Sequence, residues 1–264
     1  MLRTIFVSLE LDLFGPTDMV FSMTPAIGSG LLSENLQIRT GTTELAAREI
    51  VDVHGTRLHT LAAEQGRMIV EYTATVGDGN PPAPTDEREL ITYLRPSRYC
   101  QSDSLTPMAR AEFSGLSGRE LLQSITDWVS GRLRYMPGSS LPTDGATRTL
   151  LSRQGVCRDF AHVTIALLRA MEIPARMVAV YAPGLSPMDF HAVVEAWVDG
   201  AWWIVDATGL APRQSLVRIA TGRDAADTAW LTSLKTDLTV ASMLLTVTAE
   251  TLPLDDGLAL VQLA

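Results

Sequence analysis

Apolar and polar residues alternate through the first stretch of the chain. Ile5, Val7, Leu9, Leu11 and Leu13 fall on one face, and Thr4, Ser8, Glu10 and Asp12 on the other, with Phe6 the exception. A period of two over this length predicts a half-buried strand, stopped by Gly15-Pro16. Strand-like runs follow at Leu36–Thr40, Arg48–Val53, Arg57–Ala62 and Arg67–Val76, separated by Gly41, His54-Gly55 and Gln65-Gly66. Several short strands with almost no helical periodicity predict an antiparallel β-sandwich over residues 1–85.

The pattern then breaks. Gly77-Asp78-Gly79-Asn80-Pro81-Pro82-Ala83-Pro84 is too rich in Gly and Pro to continue a sheet, and it reads as a long turn. A second irregular stretch, Arg95 to Pro107, completes a connecting segment over residues 86–110, in which Cys100 reads as an incidental thiol. From Ser117 the period becomes helical. Ser117 and Glu120 have the form of a capping box, and Leu121, Leu122, Ile125, Trp128 and Val129 follow at helical spacing. Residues 111–264 read as a second domain, giving an α+β chain overall.

Composition narrows the class. A hydrophobic fraction of 46% with 19% charged residues is enough to build sizeable cores without covalent staples. The net charge of −9 argues against nucleic acid or an anionic membrane as partner. Two cysteines make no disulfide framework and favour reduced thiols. The acids at Glu10 and Asp12 do not suit a signal peptide, and no apolar run is long enough to span a bilayer, so a cytoplasmic location is expected. Composition leaves the oligomeric state and the role of the sandwich open.

Two neighbouring elements carry the chemistry. Cys157 precedes Phe160, Ala161, Ile165, Leu167, Leu168 and Met171, an amphipathic helix closed by Ile173-Pro174, with the cysteine in its first turn. Free N–H groups and the positive end of the helix dipole favour an anion there, and such a setting lowers a thiol from its ordinary pKa of about 8.5. Asp199-Gly200 is a two-residue hairpin signal between Val193–Val198 and Ala201–Val205. A two-residue loop sets Val193 opposite Asp206, so His191 and Asp206 share a face as diagonal neighbours, within hydrogen-bonding reach. A sulfur nucleophile needs a base, and the base needs a group that fixes its tautomer. Cys157, His191 and Asp206 supply one of each.

The surrounding residues read more plainly. His162 points away from Cys157 and packs; Trp197, Trp202 and Trp203 are core; Asp159 favours the helix start; Glu195 falls on the His191–Asp206 face and supports the site or a neighbouring cation. Arg223, Asp224 and Asp227 tie down a loop, and His54 and His59 have no partners identifiable from sequence. A zinc site is disfavoured because no third ligand or metal motif accompanies Cys157 and His191. No metal or cofactor is expected.

Gly155-Val156-Cys157-Arg158-Asp159-Phe160-Ala161-His162, Ile173-Pro174-Ala175-Arg176, His191 to Trp197 and Trp203 to Thr208 together resemble the bacterial transglutaminase-like superfamily. The likeness runs from about Ser117 to Trp230, and the preceding strands are similar to the β-sandwich often found before this domain. It implies a papain-like core, with a Cys-bearing helix packed on an antiparallel sheet that bears the His and the Asp. In such a core Cys157 is the nucleophile, His191 the base and Asp206 its orienter. Arg158 stands where the animal enzymes carry an aromatic residue, and Asp206-Ala207-Thr208 replaces the usual Asp-Pro-Thr. No acidic calcium loop is present in the sequence, so calcium dependence is not expected.

The expected activity is acyl transfer or hydrolysis at a carboxamide or peptide bond through a thioester, on a peptide, small amide or protein substrate. The backbone N–H of Cys157 and the hydroxyl of Tyr135 are the candidate oxyanion donors. The competing reading is a non-catalytic binding module of the same fold.

Overall fold

The computed structural model describes residues 1–81 and 84–263. The turn expected over residues 77–84 therefore lies partly outside the described residues, at Pro82 and Ala83. The N-terminal region contains seven strands: β1 (Arg3–Leu13), β2 (Thr17–Phe21), β3 (Leu31–Thr40), β4 (Thr43–Glu44), β5 (Arg48–Val51), β6 (Arg57–Ala63) and β7 (Gly66–Val76). The alternation of β1 is kept in full: Ile5, Val7, Leu9 and Leu11 are completely buried. Each such side chain contributes about 1.5–3 kcal/mol of burial. β2 was not anticipated; it spans only five residues directly after Gly15-Pro16. His54 and His59 do have partners: His54 Nε2 meets the Tyr93 hydroxyl at 2.7 Å, and His59 lies 3.1 Å from Glu49.

The second region begins with α1 (Glu87–Leu94), α2 (Ser102–Phe113), α3 (Gly118–Arg132), β8 (Arg134–Tyr135), α4 (Ala146–Ser152), β9 (Gln154–Gly155) and α5 (Cys157–Ala170). It continues with β10 (Ala175–Tyr181), β11 (His191–Val198), β12 (Ala201–Val205), β13 (Val217–Gly222) and α6 (Ala225–Thr228). The last two strands are β14 (Leu231–Leu234) and β15 (Leu238–Ala249).

Three antiparallel sheets result, with strand orders β15-β1-β7-β3-β4, β14-β2-β6-β5 and β12-β11-β10-β13; β8 and β9 form a small parallel pair. The inner faces of the first two sheets share a core with Tyr181 of β10 and Val217, Ile219 and Ala220 of β13. On the other side, α5 is the central helix of a second core built with α2, α3, β10 and β11. Among the described residues no helix is long and apolar enough to cross a membrane.

Two expected boundaries change. The stretch over residues 86–110 is not a bare connection: it forms α1 and most of α2, and Leu105, Ala109 and Phe113 bury against the α5 core. Cys100 is fully buried in that core, which pushes its thiol up to about 12. The domain expected to run to residue 264 instead gives its last strands back to the sandwich, where β15 pairs with β1 and β14 with β2. The unpaired edge of β1 needs backbone partners, and β15 supplies them over eleven register positions. Ser117 precedes α3 without making a side-chain cap, so the expected capping box does not close.

Candidate active site

Cys157 opens α5 as its first helical residue, after an extended Val156. Asp159 fixes this start: its Oδ2 accepts from the Val156 N–H at 2.8 Å, satisfying one of the donors a helix start leaves free. Gly155 is required by this packing, since a Cβ there would stand 2.6 Å from the Asp159 Cβ. Asp159 Oδ1 accepts from the Ser140 hydroxyl at 2.8 Å, and the Arg158 guanidinium donates to Ser140 Oγ and to the Leu141 carbonyl at 2.6 and 3.0 Å. The residue after the cysteine thus clamps the loop between β8 and α4 against the start of α5.

The hairpin follows the register expected of a two-residue turn. Val198 pairs with Ala201, Trp197 with Trp202 and Val194 with Val205. Asp199 and Gly200 both adopt positive φ, 51° and 79°, the backbone of a primed turn whose twist matches the strands. Continuing this register sets His191 diagonal to Asp206, and His191 Nε2 lies 2.8 Å from Asp206 Oδ2. Asp206 Oδ1 accepts from the backbone N–H and hydroxyl of Thr208, at 2.8 and 2.6 Å. Burial opposes ionisation of Asp206, but the His191 charge and these hydrogen bonds outweigh it and hold its pKa below the ordinary value. Burial likewise opposes a charged His191; Asp206 outweighs that, with help from Cys157, and raises its pKa to about 10.

This geometry fixes the tautomer. Nε2 carries the proton donated to Asp206, and Nδ1 is buried without a hydrogen-bond partner in the protein. The Cys157 thiol donates to the Phe190 carbonyl at 4.0 Å, immediately before His191. Sulfur, imidazole and carboxylate therefore converge from α5, the start of β11 and the end of β12. Cys157 is half-buried, whereas His191 is buried.

Tyr135, on β8, lies across the first turn of α5, its ring 6.0 Å from that of Phe160. Its hydroxyl faces the backbone N–H of Cys157. Burial, with the nearby Cys157 and Asp189, pushes its pKa up to about 12, so it holds its proton at neutral pH. Phe190 stacks on Trp230 at 5.2 Å and 13°, forming an aromatic wall beside the thiol. Phe190 gave no signal in the sequence, because its contact with sulfur is made by a backbone carbonyl, which every residue type carries.

The remaining candidates sit apart. His162 is fully buried, stacks on Tyr99 and accepts from the Ala225 N–H at 3.2 Å; burial lowers its pKa to about 3 and keeps it neutral. Glu195 serves a neighbouring cation rather than the triad, pairing with Arg176 at 2.8 Å and Arg218 at 2.6 Å. Arg223 and Asp227 pair at 2.8 Å, and Asp224 caps α6 while accepting from the Tyr99 N–H. A cavity of about 390 Å³ between the sandwich and β11–β13, lined by His54, Glu89, Arg176 and Trp202, includes none of the three converging residues. Among the described residues no group of three His, Cys, Asp or Glu side chains is placed to hold a metal ion.

The transglutaminase-like superfamily model matches residues 109–207, a span that contains Cys157, His191 and Asp206. The crystal structure of a putative cysteine protease from Cytophaga hutchinsonii has a TM-score of 0.89 and 34% sequence identity to this chain, covering 97% of it and 92% of that protein. An uncharacterized protein of Mycobacterium leprae is 32% identical over 124 residues, 42% of this chain and 43% of its own length. One from Mycobacterium tuberculosis is 31% identical over 177 residues, 61% of this chain and 50% of its own. The chain thus spans about half the length, or less, of the curated relatives it matches. A likeness to the Cytophaga protein that runs nearly end to end, with the family pattern across the Cys157 helix and the His191–Asp206 hairpin, places the chain in the transglutaminase-like superfamily.

Proposed function

We propose that the chain is a cysteine-dependent acyl-transfer enzyme that cleaves a carboxamide or peptide bond with Cys157, His191 and Asp206 in the roles of nucleophile, base and orienter. The observation that carries this reading is the free Nδ1 of a His191 whose other nitrogen is bound to a buried carboxylate, next to a thiol at a helix start. A buried polar atom left unpaired costs about 1–3 kcal/mol, a cost best explained by a proton that must come and go there.

In the first half-reaction the Cys157 proton passes to Nδ1 and the sulfur attacks the substrate carbonyl. The oxyanion is received by the Cys157 backbone N–H and the Tyr135 hydroxyl. On collapse the C–N bond breaks, the imidazolium proton goes to the departing amine, and a thioester remains. Water or a second amine then attacks the thioester, giving its proton to Nδ1, and the sulfur leaves to recover the thiol. Asp206 stays ionised throughout and stabilises the imidazolium formed in each half.

The experiment is capture of the acyl-enzyme from a library of peptides and small amides, with the adduct located by mass spectrometry. The adduct is expected on Cys157 and lost in Cys157→Ala; an adduct confined to another residue overturns the reading. Amine competition then separates the two outcomes of the second half-reaction, since only a transferase places the added amine in the product. A binding module of the same fold would form no thioester with any member of the library.

A further inference from the structure

Sheet edges expose unpaired backbone N–H and C=O groups, and monomeric proteins protect them with short strands, charges, prolines or covering segments. Nearly every edge here is protected in one of these ways. β4 has two residues and ends on Glu44, β5 carries Arg48 and Glu49, and β14 has four residues. In the third sheet, the tail lies along β12, with the Ile204 N–H donating to the Val261 carbonyl, and the Ala26 N–H donates to Arg218 on β13. β15 is different. It is twelve residues long, LTVASMLLTVTA, with no charge, proline or glycine, and it forms the outer edge of the five-stranded sheet. A single irregularity at Ala241 interrupts its register with β1.

The core is also open along this strand. Val240 and Met243 pair with Leu11 and Leu9, which are completely buried, yet they remain 38% and 39% exposed themselves. Leu245 and Val247, farther along the same face, are 6% and 3% exposed. Leu244 on the outer face is 56% exposed. The inner face of the sheet therefore ends on two apolar side chains with nothing beside them among the described residues.

We propose that β15 is a self-association edge, pairing antiparallel with β15 of a second copy of this chain so that the two sheets run on as one. A strand without charge meets its own copy without repulsion, and antiparallel pairing of identical strands is self-complementary about a two-fold axis. The flanking charges favour the same arrangement. Lys235 precedes the strand and Glu250 follows it, so antiparallel pairing brings each copy's Lys235 toward the other's Glu250, whereas parallel pairing sets like against like. The second strand covers Val240 and Met243 near the axis and supplies the missing backbone partners. This inference does not depend on the catalytic reading.

Sedimentation and hydrogen exchange test it on the full chain. The wild type is expected at twice its 28.6 kDa mass, and Leu244→Lys, whose position is outside the core, at 28.6 kDa with its melting temperature unchanged. Met243→Lys serves as a second disrupting variant nearer the axis. Amides of residues 239–248 should be protected at high protein concentration and released on dilution. A wild-type monomer, a dimer that survives both substitutions, or β15 exchange independent of concentration overturns the proposal. A monomer whose edge is protected only by an added extended peptide of another sequence overturns it as well.

Discussion

His191 and Glu195 lie on the same strand, both almost wholly buried, and both form an ion pair with a neighbour. They differ in what is left over. Glu195 Oε1 accepts from Arg218, and Oε2 accepts from both Arg176 and Arg218; Arg176 reaches on to Glu89 and lies 4.1 Å over the Trp202 ring. Burial raises the pKa of Glu195, but the two guanidinium groups outweigh it and lower the value to about 2. His191 leaves Nδ1 empty beside a thiol. A closed network holds strands together, whereas one with a vacant, proton-binding atom beside a nucleophile is equipped for chemistry. The vacancy alone does not suffice, since His162 also leaves Nδ1 unpaired, but that ring faces Tyr99 and the α6 loop with no sulfur near it.

Substitutions can break this comparison from either side. Cys157→Ala should abolish turnover, a loss on the order of a millionfold for removal of a nucleophile. Asp206→Asn should lower the rate by about 10⁴-fold, through loss of the tautomer and of the charge that stabilises the imidazolium. It should also move the alkaline limb of the rate profile. The His191 pKa is raised by Asp206, so the imidazolium persists as pH rises toward about 10; without that carboxylate the proton is lost at lower pH. A pH profile of kcat/KM checks the sign, and an unchanged alkaline limb would separate Asp206 from His191.

Tyr135→Phe should lower kcat by about 10²-fold with little change in KM, the effect of losing one oxyanion donor. An unchanged kcat would leave Tyr135 as a packing residue. Glu195→Ala should have the smallest effect on the rate of folded protein and a large effect on stability, about 3–5 kcal/mol, because it leaves two buried guanidinium groups unpaired. Denaturant unfolding checks this. The contribution of Glu195 has its own pH window: with a lowered folded pKa, it is present above the unfolded value and lost as pH falls toward about 2.

How much of this was legible in the chain follows from how local each feature is. The hairpin was readable because Asp199-Gly200 fixes the turn, the turn fixes the register, and alternation then sets His191 beside Asp206. β1 was readable because every second residue is apolar. The helix start at Cys157 was readable from Gly155, the apolar spacing and Asp159. β15 was not assigned to the sandwich, because its partner β1 lies at the opposite end of the sequence and no turn joins them. Nor did the irregular look of residues 86–110 reveal α1 and α2, whose apolar residues gain their meaning from α5. The thiol's contact with the Phe190 carbonyl was invisible for a different reason: it is made by backbone.

The central claim is that His191 activates Cys157, and the molecule carries its own control in Cys100. The decisive measurement is the rate of alkylation of each cysteine by iodoacetamide at neutral pH, in the wild type and in His191→Ala. Cys157 is expected to react readily and to slow by about tenfold or more without the imidazole. Cys100, buried and pushed up to about 12, should stay unmodified until the protein unfolds. A Cys157 rate that is the same with and without His191 would contradict the account.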